Sequence, residues 1–341
     1  MSMNYKSLIK TTTGDLVILG VKDTCKTTLL MHIARELRQD AKNHVYIMET
    51  FPKWIHEFDN IPYMTIKEQD VEPKENLAYL EENSSIIQWS KDYTILNANE
   101  VVQFLKTNKD GIFSIECEDM EKISAFMTFV IYQCYRKQYL RAKAETLERI
   151  NENYWFMVEE SHNLLDSTVI AKKTFNKLRK IQNEFRNLKM HMVCVALRLQ
   201  DLSPKIRAKM SILLARVSLD DYQLKVRNLL RNSKFRNEIT SLEKGKFVFP
   251  ETDNVLETKP FQQIGKPFEW KPKPKPQKPQ AKKGFWHDLK KWFKTPLGIK
   301  YVRNGKPIDT QQEDTTEQEF QENEDEEYEV EEFLDDKEFW E

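Results

Sequence analysis

Lys26 and Thr27 close the stretch Gly20-Val21-Lys22-Asp23-Thr24-Cys25-Lys26-Thr27, which has the spacing of a phosphate loop, G-x-x-x-x-G-K-[ST]. In such a loop, backbone N–H groups wrap phosphate oxygens and the following helix adds the positive end of its dipole. The lysine reaches the outer phosphates, and the hydroxyl residue binds Mg²⁺. Two features depart from the pattern. Cys25 stands at the second glycine, and Asp23 places a negative charge in a loop built for anions. A second pair of groups, Glu159-Glu160, lies far downstream in the run Glu159-Glu160-Ser161-His162. One carboxylate at a strand end suits the Mg²⁺ shell, and its neighbour suits orienting or deprotonating an attacking water. Glu159 takes the first role in this reading and Glu160 the second. The nucleotide-binding set is then Gly20, Thr24, Cys25, Lys26, Thr27 and Thr28, with Thr27 and Glu159 on the metal. ATP and Mg²⁺ are the expected cofactors.

Both groups need strands to place them, and the sequence supplies candidates. Asp15 to Gly20 is a short apolar run ending in glycine, and Leu29, Leu30, Ile33, Ala34 and Leu37 recur behind it at helical spacing. Further apolar runs at 44–48, 111–115, 154–158, 191–196, 211–217 and 246–249 read as strands. Helices are expected over 27–40, 120–144 and 167–187. Strands that are nearly all apolar and alternate with helices predict a parallel sheet covered on both faces.

Downstream of the Glu159-Glu160-Ser161-His162-Asn163-Leu164 run, the segment from Val195 to Ile206 contains Arg198, Asp201-Leu202, Pro204 and Ile206. Then come Ile212 to Val217 with Arg216, and Leu242-Glu243-Lys244-Gly245. In order and spacing this series resembles the HerA/FtsK superfamily of P-loop ATPases over roughly residues 14–250. It lacks the large N-terminal barrel of cellular HerA and is similar to the reduced cores of viral genome-packaging or plasmid-transfer relatives. The resemblance implies a RecA-like α/β fold, ATP hydrolysis coupled to movement of DNA, and a homo-oligomeric, hexameric ring. It implies a γ-phosphate sensor at Leu197 and Arg198, where Leu197 replaces the family's polar glutamine. It also implies an arginine acting on a neighbouring subunit's site, for which Arg186 is the candidate and Arg198 and Arg216 are alternatives. Cys25 and Leu197 keep open a second reading, a degenerate nucleotide-binding subunit without efficient hydrolysis. For DNA, the basic residues Lys172, Lys173, Lys177, Arg179, Lys180, Lys205, Arg207 and Lys209 are candidates. His162 reads as structural or sensor-like.

Composition sets the remaining bounds. Of 341 residues, 40% are hydrophobic and 31% charged, with a formal net charge of −1. That near-zero sum hides a basic segment followed by an acidic one. The division expected is an ATPase domain over 1–258, a Lys/Pro-rich linker over 259–284, a basic-aromatic segment over 285–312 and an acidic disordered tail over 313–341. Phe285, Trp286, Leu289, Trp292 and Phe293 fall on one helical face, suited to a membrane surface or a partner's groove. The acidic tail suits a basic cleft. Cys25, Cys117, Cys134 and Cys194 include no C-x-x-C pair, which argues against a zinc site. Met1 to Lys6 opens no apolar signal segment, so a cytoplasmic location is expected.

Overall fold

Residues Leu16–Leu19 (β1) are apolar at every position and buried at every position, as a strand with covered faces requires. The structure, a computed structural model, describes residues 5–11, 15–73, 87–88, 93–143, 151–161, 172–222, 226–273, 302–303 and 306–307. Helix α1 (Tyr5–Thr11) precedes β1, and α2 (Lys26–Arg38) follows it. Next come β2 (Asn43–Glu49), α3 (Trp54–Glu57), β3 (Pro62–Lys67), β4 (Val71–Pro73), β5 (Ile87–Gln88) and β6 (Tyr93–Ile95). Helix α4 (Ala98–Thr107), β7 (Asp110–Glu116), α5 (Met120–Lys143), β8 (Asn153–Val158) and α6 (Lys172–Glu184) continue the alternation. Strands β9 (Met190–Ala196), β10 (Ser211–Leu214), β11 (Lys246–Phe249), β12 (Asn254–Glu257) and β13 (Phe268–Glu269) complete the main sheet.

The sheet has ten strands in the order β12-β11-β10-β1-β9-β8-β2-β7-β3-β13. From β10 to β13 every pairing is parallel, and β11 and β12 add an antiparallel edge. This is the expected α/β architecture, a mostly parallel sheet flanked by helices. Alternation along the strands sends side chains to opposite faces. Val45 and Ile47 share one core with Leu29, Leu30, Ile33 and Leu37 of α2. Tyr46 faces the other side, in an aromatic layer with Phe113, Phe156 and Tyr154. There Phe113 meets Phe104 of α4 and Phe126 of α5, and Phe156 meets Phe185 just beyond α6. Burying each large apolar side chain contributes about 1.5–3 kcal/mol, so the two layers hold the strand ends in fixed relation. Strands β4, β5 and β6 form a small separate antiparallel sheet.

Residues 259–272 depart from the linker expected there. They cross α2 and α3 and end as β13 against β3. The Lys259 carbonyl lies 2.9 Å from His32 Nε2, and the Arg35 guanidinium sits 3.8 Å over the Phe261 ring. Arg35 also forks onto Asp59 with two 2.6 Å bonds, and the Ile264 N–H donates to the same carboxylate. Trp270 meets Phe104 edge-on. The first compact unit accordingly runs from Met1 to Pro272. A second unit, Lys273–Glu341, contains one described ladder, Val302–Arg303 with Lys306–Pro307. The expected basic-aromatic helix, the acidic run and His162 lie outside the described residues. Among the described residues no helix is long and apolar enough to cross a membrane.

Candidate phosphate-binding site

The register of the parallel strands brings the two motifs together. Leu19 pairs with Ala196 and Leu214, and Val158 pairs with Met48 and Cys194. Gly20, Leu197, Glu159 and Glu49 therefore all emerge at the carboxyl edge of the sheet, where ligands of open α/β sheets bind. Between Gly20 and Lys26 the chain turns tightly. The Val21 N–H donates to the Arg216 carbonyl at 2.9 Å, and the Thr24 hydroxyl donates to the Val21 carbonyl at 2.9 Å. Gly20 is required sterically, since a Cβ there would lie 2.7 Å from Ala215 Cβ and 2.9 Å from the Arg216 carbonyl oxygen.

The loop reaches its shape without its second glycine. Cys25 adopts φ 67° and ψ 26°, the left-handed conformation that glycine takes freely, and Asp23 has φ 60°. Cys25 is the cap of α2 and supplies no side-chain hydrogen bond to it. The first N–H groups of a helix have no partner within it, so a loop of this shape aims donors at the space in front of α2.

Lys26 is buried, and its Nζ donates to the carbonyls of Gly20 at 2.7 Å and Val21 at 2.6 Å. Burial pulls its pKa down to about 8, and the negative charge of Asp23 opposes that shift. The Thr27 hydroxyl donates to Glu159 Oε1 at 2.6 Å across the sheet edge. The other oxygen of Glu159 accepts from the Trp54 indole N–H at 3.0 Å. Burial raises the Glu159 pKa, while the Thr27 bond, the Lys53 charge and the Trp54 bond pull the other way. Glu160 is exposed and accepts from the Thr50 hydroxyl at 2.9 Å. The Ser161 N–H donates to the Val195 carbonyl at 3.0 Å, which fixes the turn carrying both carboxylates.

These groups line a cavity of about 610 Å³ that includes Thr24, Cys25, Lys26, Thr27, Thr28, Glu159, Glu160 and Leu197. A neighbouring cavity of about 770 Å³ shares Lys22 and Leu197 and is bounded by Arg198, Ser218, Asp220 and Asp221. Leu197 is 38% exposed and presents a purely apolar side chain to both. Arg198 lies in the neighbouring cavity, with its N–H bonded to Asp201 at 2.9 Å. Thr27 and Glu159 are oxygen donors suited to a hard cation, and Mg²⁺ usually takes one or two protein oxygens and completes its shell with phosphates and water. Their 2.6 Å separation is close to the ~2.9 Å edge that ligands at 2.0–2.1 Å define around an octahedral ion. Two oxygen donors leave room for phosphate and water around such an ion, so the donor set fits Mg²⁺ shared with a phosphate ligand.

Arg186 is not brought to this cavity. It is exposed in the turn between α6 and β9, at the amino edge of the sheet. The length of β9 separates it from the loop, about 20 Å at 3.3 Å per residue. That distance keeps it out of the cavity of its own chain. Arg207 donates to the Leu199 carbonyl at 3.2 Å, and Lys209 bonds Asn183. Five residues at or beside the cavity escaped the sequence reading: Phe51 and Lys53 line it, and Glu49, Thr50 and Trp54 bond to or lie beneath its walls. All five come from the end of β2 and the turn into α3. The one available signal was positional, since a loop following an apolar parallel strand emerges at the same edge as the phosphate loop.

No family model and no curated protein matches this chain. Among solved structures, the genome-packaging NTPase B204 of Sulfolobus turreted icosahedral virus 2, in complex with sulfate, is 11% identical with a TM-score of 0.44. That match covers 73% of this chain and 98% of B204. The plasmid coupling protein TrwB, in complex with ADP and Mg²⁺, is 11% identical with a TM-score of 0.49 and is covered over 86% of its length by 73% of this chain. At these values the likeness is one of folded arrangement, and the chemistry of this site rests on its own residues.

Proposed function

We propose that the chain binds Mg-ATP in the cavity in front of α2 and hydrolyses it. The carrying observation is the 2.6 Å bond between Thr27 and Glu159, which joins residues 132 apart in sequence at the two positions that such a reaction requires. Lys26, still charged for the most part near neutral pH, leaves the Gly20 and Val21 carbonyls for the outer phosphates. Thr27 and Glu159 would hold Mg²⁺, whose charge would offset that of the phosphate oxygens. Glu160 accepts a proton from the attacking water as its oxygen bonds the terminal phosphorus. The bond from that phosphorus to the bridging oxygen breaks, giving ADP and inorganic phosphate. Exposure of Glu160 keeps water within its reach.

The larger reading is an ATP-driven DNA translocase, a packaging or transfer motor working as a cytoplasmic homo-oligomeric ring. Its support is the ordered series of motifs from Gly20 to Gly245. Arg186, at the far edge of its own sheet, then serves the site of the next subunit. A second reading, nucleotide binding with little turnover, is favoured by Leu197, which offers no hydrogen bond where the superfamily has an amide.

Phosphate release from ATP, with and without DNA, separates them. Wild type should turn over ATP and respond to DNA, while Glu160→Gln should bind ATP and release no phosphate, since an amide accepts no proton. Binding without turnover in wild type would leave the second reading. Equal turnover in wild type and Glu160→Gln would remove Glu160 from the chemistry.

A further inference from the structure

The turn from β2 into α3 is tied to both strand-end carboxylates. Thr50 bonds Glu160, the Trp54 indole bonds Glu159, and the Trp54 backbone N–H donates to Glu49 Oε2 at 2.7 Å. Glu49 and Trp54 are both fully buried, so the turn is anchored beneath the cavity as well as at its wall. Between these anchors stands Lys53, half-buried, lining the cavity and close enough for its charge to act on Glu159. Across the cavity Leu197 offers only methyl groups.

Resting on the ATP-binding reading above, we propose that Lys53 is the group that recognises the terminal phosphate, taking over from the apolar position 197. Two considerations carry this. A terminal phosphate held by Lys26 must lie toward Glu159 and Glu160, because those groups serve the metal and the water. Lys53 is on that side, and its turn is fixed to the same two carboxylates. A cation beside the terminal phosphate neutralises charge on its oxygens, and that charge is absent in ADP. Lys53 therefore separates triphosphate from diphosphate, and its ties through Thr50 and Trp54 carry the difference to α3. The strap 259–272 passes over the same helix, where Gln263 bonds the carbonyls of His56 and Phe58.

Calorimetric titration of the full chain with Mg-ADP and with a non-hydrolysable Mg-ATP analogue tests this. Wild type should bind both and prefer the triphosphate. Lys53→Gln, which keeps the stem length, should lose about tenfold in triphosphate affinity and leave ADP affinity unchanged. Lys53→Arg should keep the preference, and kcat should fall more than KM rises in Lys53→Gln. An unchanged preference in a Lys53→Gln protein that still binds ADP overturns the proposal and leaves the ATP-binding reading intact. Loss of the preference in Lys244→Ala, with Lys53→Gln unaffected, also overturns it, since Lys244 lines the same cavity. Failure of wild type to bind either nucleotide sinks the underlying reading instead.

Discussion

Replacing Cys25 with glycine should make the protein more stable, although the thiol is partly buried. Cys25 holds φ 67° and ψ 26°, and a non-glycine residue in that region costs about 1–2 kcal/mol. Glycine removes that strain but loses more backbone freedom on folding, about 0.5–1 kcal/mol. The side chain makes no capping bond to α2, so little else is forfeited. The difference is a net gain of about 0 to 1.5 kcal/mol, or at most roughly 6 °C in Tm for a unit of this size. Denaturant unfolding and thermal melts of wild type and Cys25→Gly measure it. Removing the side chain also clears space in front of α2, so Mg-ATP should bind at least as tightly. A loss of more than about 0.5 kcal/mol on Cys25→Gly would mean that the residue is not in the left-handed region. The account of the loop as strained would then be wrong.

Other expectations follow from the same geometry. Gly20→Ala should destabilise the protein by about 1–3 kcal/mol, since one of its clashes is with backbone at 2.9 Å; an unchanged denaturation midpoint would contradict this. Lys26 has a pKa lowered to about 8 by burial, so its penalised charged form is fully present below about pH 8. Nucleotide affinity should therefore fall as pH rises through that value, and the penalty on folding should be relieved as pH approaches the ordinary lysine range. Flat affinity from pH 7 to 9.5 would argue against a phosphate contact by Lys26. Trp54→Phe removes the indole bond to Glu159, a loss of about 1 kcal/mol for a net hydrogen bond. It should raise the Mg²⁺ concentration needed for half-maximal ATP binding and leave binding at saturating Mg²⁺ near wild type.

Much of the sheet was legible because its strands are buried on both faces. Leu16 to Leu19, Phe156 to Val158 and Met192 to Ala196 are apolar at every position, and parallel order followed from the helices between the strands. Glu159 and Glu160 could be singled out because two adjacent carboxylates follow such a run. β3 was not, because it opens with Pro62 and is only half-buried, with an exposed Lys67 at its end. The strap 259–272 was hidden by composition, as its lysines and prolines read as a spacer. Its docking depends on a few contacts with partners about 200 residues away, such as Phe261 under Arg35 and Gln263 at Phe58. Lys53 and Trp54 sit in a turn without periodicity, and only the pairing of β2 with β8 brings them to Glu159. Arg186 was expected on a neighbouring copy's site, and its place before β9 at the amino edge of its own sheet keeps it out of the cavity of its own chain.

The central claim is that the loop from Gly20 to Thr27, with Glu159 beside it, is a working Mg-ATP site despite Cys25. Isothermal titration of Mg-ATP into the purified chain and its Lys26→Ala variant, at pH 7 and up to millimolar ligand, tests it most directly. The account predicts saturable binding by wild type that weakens when Mg²⁺ is chelated, and no measurable binding by a Lys26→Ala protein with an unchanged circular dichroism spectrum. Absence of binding by wild type, or equal binding by the two proteins, would contradict it.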